Sequence, residues 1–230
     1  MITYKMAKIA RLAILVLVAS AVALGLSSPA DAASGTTYGD PSTAAQWWRL
    51  QQYDDCAIMS SADVVGQVTG KEPSEQAIIK KAQSTPSTVH SGSIYIKPVD
   101  KKSEGMGTMM WDLPTLLARY NVNAVASNKE YSAKTGVPVG IEGLEQLLSG
   151  GHKIIVSVNA EMIWHQPIES KDEHGNPVSD HAVVVTGIDT VNNVVHLNDS
   201  GIKTGRDEQI SIQLFVESWD TSGERLVVTT

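Results

Sequence analysis

Cysteine is nearly absent: Cys56 is the single thiol among 230 residues. One thiol cannot close an internal disulfide, so the fold has no covalent cross-link and Cys56 has no bridging role. A basic excess is missing too, with 18 Lys and Arg against 25 Asp and Glu and a net charge of −7. Nucleic-acid binding needs a basic footprint, and this balance argues against it. The acidity favours solubility instead. No internal repeat and no low-complexity tract is visible. Beyond the first thirty residues no run is apolar enough to cross a bilayer, so no stable membrane span is expected in the mature chain.

What is present starts with Lys5, Lys8 and Arg11, an apolar run from Leu12 to Leu26, and Ser27-Ser28-Pro29-Ala30-Asp31-Ala32. A basic head, an apolar core and an Ala-x-Ala site describe a secretory signal peptide over residues 1–32. The expected location is therefore secreted or cell-envelope. Cleavage would remove three basic residues and one acidic one, leaving 15 against 24 and a net charge of −9. Residues 33–45, rich in Ser, Thr, Gly and Pro, read as a flexible lead-in. Residues 46–230 are long enough for one well-cored domain. Nothing in the pattern sets an oligomeric state.

From Asp55 to Val68 the apolar residues Ile58, Ala62, Val65 and Val64, Val68 recur at helical spacing, and Gly70 follows as a stop. A second helix is expected from Pro73 to Gln83, a third over Met109 to Tyr120 and a short one over Ile141 to Leu148. The long Ser84–Thr108 connection reads either as a lid or as a segment ordered against the body. Later the chain turns rich in Val and Ile. Lys153–Asn159, His181–Ile188, Val194–Asn198 and Leu226–Thr229 read as strands, the middle two forming a hairpin around Asp189–Asn193. Ile210–Trp219 fits either a strand or a helix. Helices first and strands later give an α+β class, with the helical part packed on an antiparallel sheet.

A thiol at a helix start lies at the positive end of the helix dipole, which favours its thiolate. Asp54 and Asp55 oppose that if they face the sulfur, unless they cap the helix. Taken alone, Cys56 fits a small buried apolar residue as well. His181 stands at the mouth of the apolar run Ala182-Val183-Val184-Val185, where an imidazole is held rigidly. A hairpin turn centred on Thr190 sets residue 199 opposite residue 181, whereas one centred on Val191 misses by two residues, about 7 Å. Side chains alternate along a strand, so Asn198 and Asp199 cannot both face His181. Asp199 shares the apolar side with Leu197 and Val195 and is the preferred orienting carboxylate; Asn198 competes. An acyl-transfer site also needs donors to a developing oxyanion. The Cys56 backbone N–H is one, and the side-chain amide of Gln51 or Gln52 is a candidate for the other.

The segments Gln51-Gln52-Tyr53-Asp54-Asp55-Cys56, Asp180-His181-Ala182-Val183-Val184-Val185-Thr186-Gly187 and Val195-His196-Leu197-Asn198-Asp199-Ser200-Gly201 together resemble papain-like cysteine peptidases. The closest branch is the one related to bacteriocin-processing, double-glycine leader peptidases, with this chain as an exported bacterial member. The resemblance runs from about Trp47 to Thr230. It implies a papain-like α+β fold in which Cys56 is nucleophile, His181 general base and then acid, and Asp199 the orienter. It also implies a peptide or other amide as substrate, and no cofactor. Two departures stand out: Ala57 replaces the usual glycine after the cysteine, and Leu50 occupies the usual glutamine position six residues before it. They motivate a second reading, a binding module that keeps the fold without turnover. Acyl transfer to an amine would use the same three residues. A third reading gathers Glu161, His165, His174 and His181 around a metal, provided the first pair lies on a helix.

Overall fold

The computed structural model describes residues 35–101 and 107–230. The segment read as a signal peptide lies outside the described residues. Among the described residues the strands are β1 (Thr37–Gly39), β2 (Ala124–Ser127), β3 (Ile154–Val158), β4 (His181–Asp189), β5 (Val194–Asn198), β6 (Glu208–Ser211) and β7 (Leu226–Thr229). They form one sheet in the order β2-β7-β3-β4-β5-β6, all pairs antiparallel, and β1 pairs separately with β4. The helices are α1 (Pro41–Ala44), α2 (Cys56–Thr69), α3 (Glu75–Gln83), α4 (Leu113–Ala118), α5 (Ser132–Thr135), α6 (Gly140–Ser149), α7 (Ala160–Ile163) and α8 (Ile212–Asp220).

Strand β4 is apolar at almost every position because helices cover both faces of the sheet. Ala182 and Val184 face α2 and α4, meeting Ala57, Val64, Leu113 and Leu117. Val183 and Val185 face the other way, toward Leu144 of α6 and Phe215 and Trp219 of α8. A strand buried on both sides loses the polar alternation of a half-exposed one. Burying an aromatic such as Phe215 or Trp219 is worth about 1.5–3 kcal/mol, and both help hold α8 to the sheet. The class is α+β as expected, with helices packed on both faces of the antiparallel sheet.

Local chemistry sets the element ends. Gly70 caps α2 in the left-handed conformation at φ 70°, and its N–H bonds to Gly66 O. The second helix starts at Glu75, because Ser74 and not Pro73 provides the cap, its hydroxyl accepting from Ala77 N at 3.3 Å. The ambiguous stretch holds both structures: β6 ends at Ser211, whose hydroxyl caps α8 by accepting from Leu214 N. The lead-in reading of 33–45 does not hold over residues 37–44. There Tyr38 and Gly39 pair with Ile188 and Gly187, and Asp40 caps α1. Gly39 sits at φ 83° and so close to β4 that a Cβ would meet Thr186 O at 2.4 Å.

The long connection is held against the body over its described part. Asp112 accepts from Ser87 Oγ at 2.6 Å and from Thr88 N and Oγ1 at 2.7 Å, and Ile94 and Tyr95 are buried. At its far end Lys101 Nζ donates to Gln52 Oε1 at 2.8 Å, and Lys97 Nζ lies 3.9 Å from the Tyr53 ring centroid. Among the described residues no helix is long and apolar enough to cross a membrane.

Candidate active site

Cys56 is the first residue of α2, whose opening amides have no carbonyl one turn earlier to bond. The helix is pinned to β4 by Ala57 packing and by Ser60 Oγ, which donates to Ala182 O at 3.1 Å. This contact brings the start of α2 to the start of β4, where His181 pairs with Val158. The His181 ring is buried, and its Nε2 bonds Asp199 Oδ1 at 2.6 Å. That leaves Nδ1 for the thiol of Cys56, which lines the same cavity as His181.

The route by which Asp199 arrives differs from simple strand opposition. Near the site Val184 pairs with Asn198 and Val185 with Leu197, the register of a turn centred on Val191, and a bulge follows between Val185 and Gly187. Asp199 nevertheless reaches His181, because β5 ends at Asn198 and the chain turns there. Asp199 N then bonds Gly205 O, and the Gly201 amide folds back onto Asp199 Oδ1 at 2.7 Å. Asn198 faces the opposite side, its Nδ2 donating to Asp63 Oδ2 at 2.7 Å and to Ala44 O at 3.0 Å. Asp199, and not Asn198, is thus the residue that contacts His181.

Three donors converge on the Asp199 carboxylate: His181 Nε2, the Gly201 amide and Trp164 Nε1, the last at 2.8 Å on Oδ2. The Trp164 ring also lies against His181, with centroids 5.1 Å apart. Burial alone would raise Asp199, but attraction to His181 and these hydrogen bonds outweigh it and hold the carboxyl below its ordinary range. Burial alone would likewise lower His181. Attraction to Asp199 and to the Cys56 thiolate, with hydrogen bonds to both, instead lifts it well above 6.5. A cavity of about 330 Å³ opens over the pair, lined by Cys56, His181, Thr108, Ser157, Ser179 and Arg225 among others. A larger one of about 510 Å³, around Trp47, Arg49 and Glu72, contains none of Cys56, His181 or Asp199.

A cysteine at a helix start, with a histidine at the start of one strand and an aspartate just past the end of the next, accords with residues 39–227 matching the model of the Peptidase_C39 like family. The chain belongs to that family. It is 61% identical, over 232 residues and the full length of both chains, to uncharacterized proteins of Mycobacterium bovis and of Mycobacterium tuberculosis. Its fold matches a crystal structure of a C39-like peptidase from Bacillus anthracis with a TM-score of 0.58 at 17% identity. That match covers 85% of this chain and 98% of the other. The fold is therefore that of the papain-like cysteine peptidase superfamily.

Family membership makes the placement of the glutamines informative. Neither lines the Cys56 cavity. The Gln51 amide donates to Tyr53 O at 3.0 Å while its Oε1 accepts from Ser200 Oγ, tying the loop before α2 to the turn after Asp199. Gln52 is engaged by Lys101. Their observed role is to hold the loop, and the cavity-facing polar groups lie elsewhere. Thr108 Oγ1 is buried there with no partner among the described residues. Arg225, just before β7, reaches the cavity from beside the Trp111 ring. Sequence reasoning overlooked both, since neither stands in a recognisable motif.

Asp55 is the N-cap residue of α2 but makes no capping hydrogen bond. It is buried, and among the described residues neither of its carboxylate oxygens has a donor. Burial first, then Glu75 and Asp54, push it up to about 8. At neutral pH Asp55 is therefore uncharged and does not oppose a thiolate at Cys56. The proposed metal ligands are not gathered: His165 has left α7 at φ 55°, His174 lies exposed beside Glu173, and His181 is bound to Asp199. Among the described residues no three His, Cys, Asp or Glu side chains form a metal-binding group.

Proposed function

We propose that the protein is an exported cysteine hydrolase that cleaves peptide or other amide bonds through Cys56, His181 and Asp199. The observation that carries this reading is the 2.6 Å bond from His181 Nε2 to Asp199 Oδ1, with the other ring nitrogen left for the thiol. In this scheme the Cys56 thiolate attacks the carbonyl carbon, forming a C–S bond and a tetrahedral oxyanion. The Cys56 amide, at the open end of α2, is one donor to that oxyanion. His181 gives its proton to the leaving amine as the C–N bond breaks, producing a thioester. Water then attacks the thioester, His181 takes its proton, and the thiolate departs. Asp199 keeps the imidazole oriented and balances its charge throughout. The basic head, apolar run and Ala30-Asp31-Ala32 support export.

Alkylation of Cys56 by iodoacetamide tests the reading without knowledge of the substrate. His181→Ala should slow alkylation at neutral pH by about a hundredfold, the scale of a lost general base. Equal, slow reaction in both proteins would leave a binding module that keeps the fold alone. Ala57 and the loop-bound glutamines favour that second reading.

A further inference from the structure

We propose that Arg225 selects the substrate by taking one of its carboxylates, either an acidic side chain or the free C-terminus of a peptide. The proposal names the substrate class for the reading above and rests on that reading. Arg225 immediately precedes β7, and its backbone is spent on the fold. Its N–H donates to Ser222 Oγ at 3.0 Å, and its carbonyl accepts from Trp219 Nε1 at 2.9 Å and from Ser157 N at 3.1 Å. The side chain is what remains for a ligand. Leu226 and Val228 of β7 point toward α6 and α8, while Val227 packs on the other face with Ala57 and Ala182. Side chains alternate, so Arg225 shares the face of Val227, the side on which α2 lies. Ser157 links it to β4, since Ser157 also pairs with Ala182. Arg225 thus stands two strand spacings from Ala182, about 10 Å, or about three residues of an extended substrate. It lines the same cavity as Cys56 and His181.

Among the described residues that line this cavity, Arg225 is the one Lys or Arg. Its Nε is buried with no acceptor, and no carboxylate of the described residues is in ion-pair range of its guanidinium. The Trp111 ring, 6.0 Å from the guanidinium carbon, supports the cation but leaves its N–H groups unspent. A shielded N–H without an acceptor costs desolvation, and a carboxylate can satisfy two N–H groups of the fork at once. Thr108 Oγ1, without a partner among the described residues, and Ser179 Oγ, which accepts from Ser157 Oγ at 3.1 Å, add hydroxyls to the same cavity. Two acids also line it. Asp180 accepts from Ala160 N at 2.9 Å and from Ser170 Oγ at 2.7 Å, and Asp54 stands two residues before Cys56. Both repel an anion, so the position of a bound carboxylate is set by Arg225.

The experiment is calorimetric binding of three blocked tripeptides to the full chain carrying Cys56→Ala, which holds the cavity without turnover. The peptides are acetyl-Ala-Ala-Ala-amide, the same peptide with a free C-terminal carboxylate, and acetyl-Ala-Glu-Ala-amide. At least one carboxylate peptide should bind about tenfold more tightly than the neutral one, the scale of a charge-assisted hydrogen bond. Which of the two gains tells the C-terminus from the acidic side chain. Adding Arg225→Gln should erase the preference. Equal binding of all three peptides, or a preference that survives Arg225→Gln, would overturn the proposal. Should Arg225→Gln not fold, Arg225→Lys takes its place. It keeps the charge without the fork and should cut the preference about threefold, and an unchanged preference again overturns the proposal. Failure of the catalytic reading shows elsewhere, as equally slow alkylation of Cys56 in the native chain and His181→Ala. A carboxylate preference that depends on Arg225 would still stand in that case, as the selectivity of a binding module.

Discussion

Asp199 and Asp55 are both carboxyls next to His181 and Cys56 respectively, 0% and 2% exposed, yet their surroundings push them in opposite directions. Asp199 is held below its ordinary range, and Asp55 is pushed up to about 8. Burial penalises the anion in both, so burial is not what separates them. Asp199 has an imidazole and two further N–H donors; Asp55 has two neighbouring acids and, among the described residues, no donor for either oxygen. Converging donors decide which buried carboxyl remains an anion. The outcome suits the chemistry on each side: a fixed negative charge behind His181, and a neutral group beside Cys56.

Breaking the Asp199 end should have the larger effect. Asp199→Asn keeps the shape and removes the charge, and should lower the alkylation rate of Cys56, or any hydrolysis measured, by roughly a thousandfold or more. A rate within a factor of ten of native would deny Asp199 its role. Trp164→Phe keeps a ring over His181 but deletes the indole N–H that bonds Asp199 Oδ2. A hydrogen bond to a charged acceptor is worth about 1.5–3 kcal/mol, so a denaturant midpoint should fall accordingly and activity should drop about tenfold. An unchanged midpoint would mean that the other two donors suffice.

The smallest effect is expected at Asp55, and its sign sharpens the contrast. A carboxyl raised on folding from 3.8 to about 8 destabilises the native state progressively as pH rises through that window. Asp199, lowered on folding, does the reverse: its contribution is present above the unfolded carboxyl range and is lost as pH falls. Asp55→Asn should therefore leave Tm nearly unchanged at acid pH and raise it toward pH 8, with alkylation of Cys56 changed by no more than about threefold. Thermal melts of the two proteins across this range would show it. A lower Tm for the variant at alkaline pH would contradict a neutral Asp55.

Much of the fold was legible because periodicity reports burial. The α2 helix over Cys56–Thr69, the β4–β5 hairpin and β7 lie within a residue or two of the expected spans. Strand β2 was not legible, since Ala124-Val125-Ala126-Ser127 carries no strong strand pattern and is a strand through its pairing with β7. Strand β1 was missed likewise: its Gly and Thr suit a loop, and only the end of β4 beyond its pairing with β3 makes it a strand. At the site, the sequence offered Asp199 and Asn198 as alternatives, and Asp199 is the one in contact with His181. Strand counting did not explain how Asp199 arrives, because a bulge and a turn after β5 carry it there. The glutamines were placed by proximity along the chain, and the structure commits Gln51 to Ser200 across 149 positions.

The residues by themselves determined the class of elements, the apolar faces and the supply of a thiol, an imidazole and a carboxylate. These depend on short-range spacing and composition. Only the tertiary structure decided which carboxyls carry charge and which donors reach them. Ionisation inside a protein depends on groups brought within a few ångströms from far along the chain. Trp164 comes to Asp199 from 35 positions away, and neither sequence segment alone contains that contact.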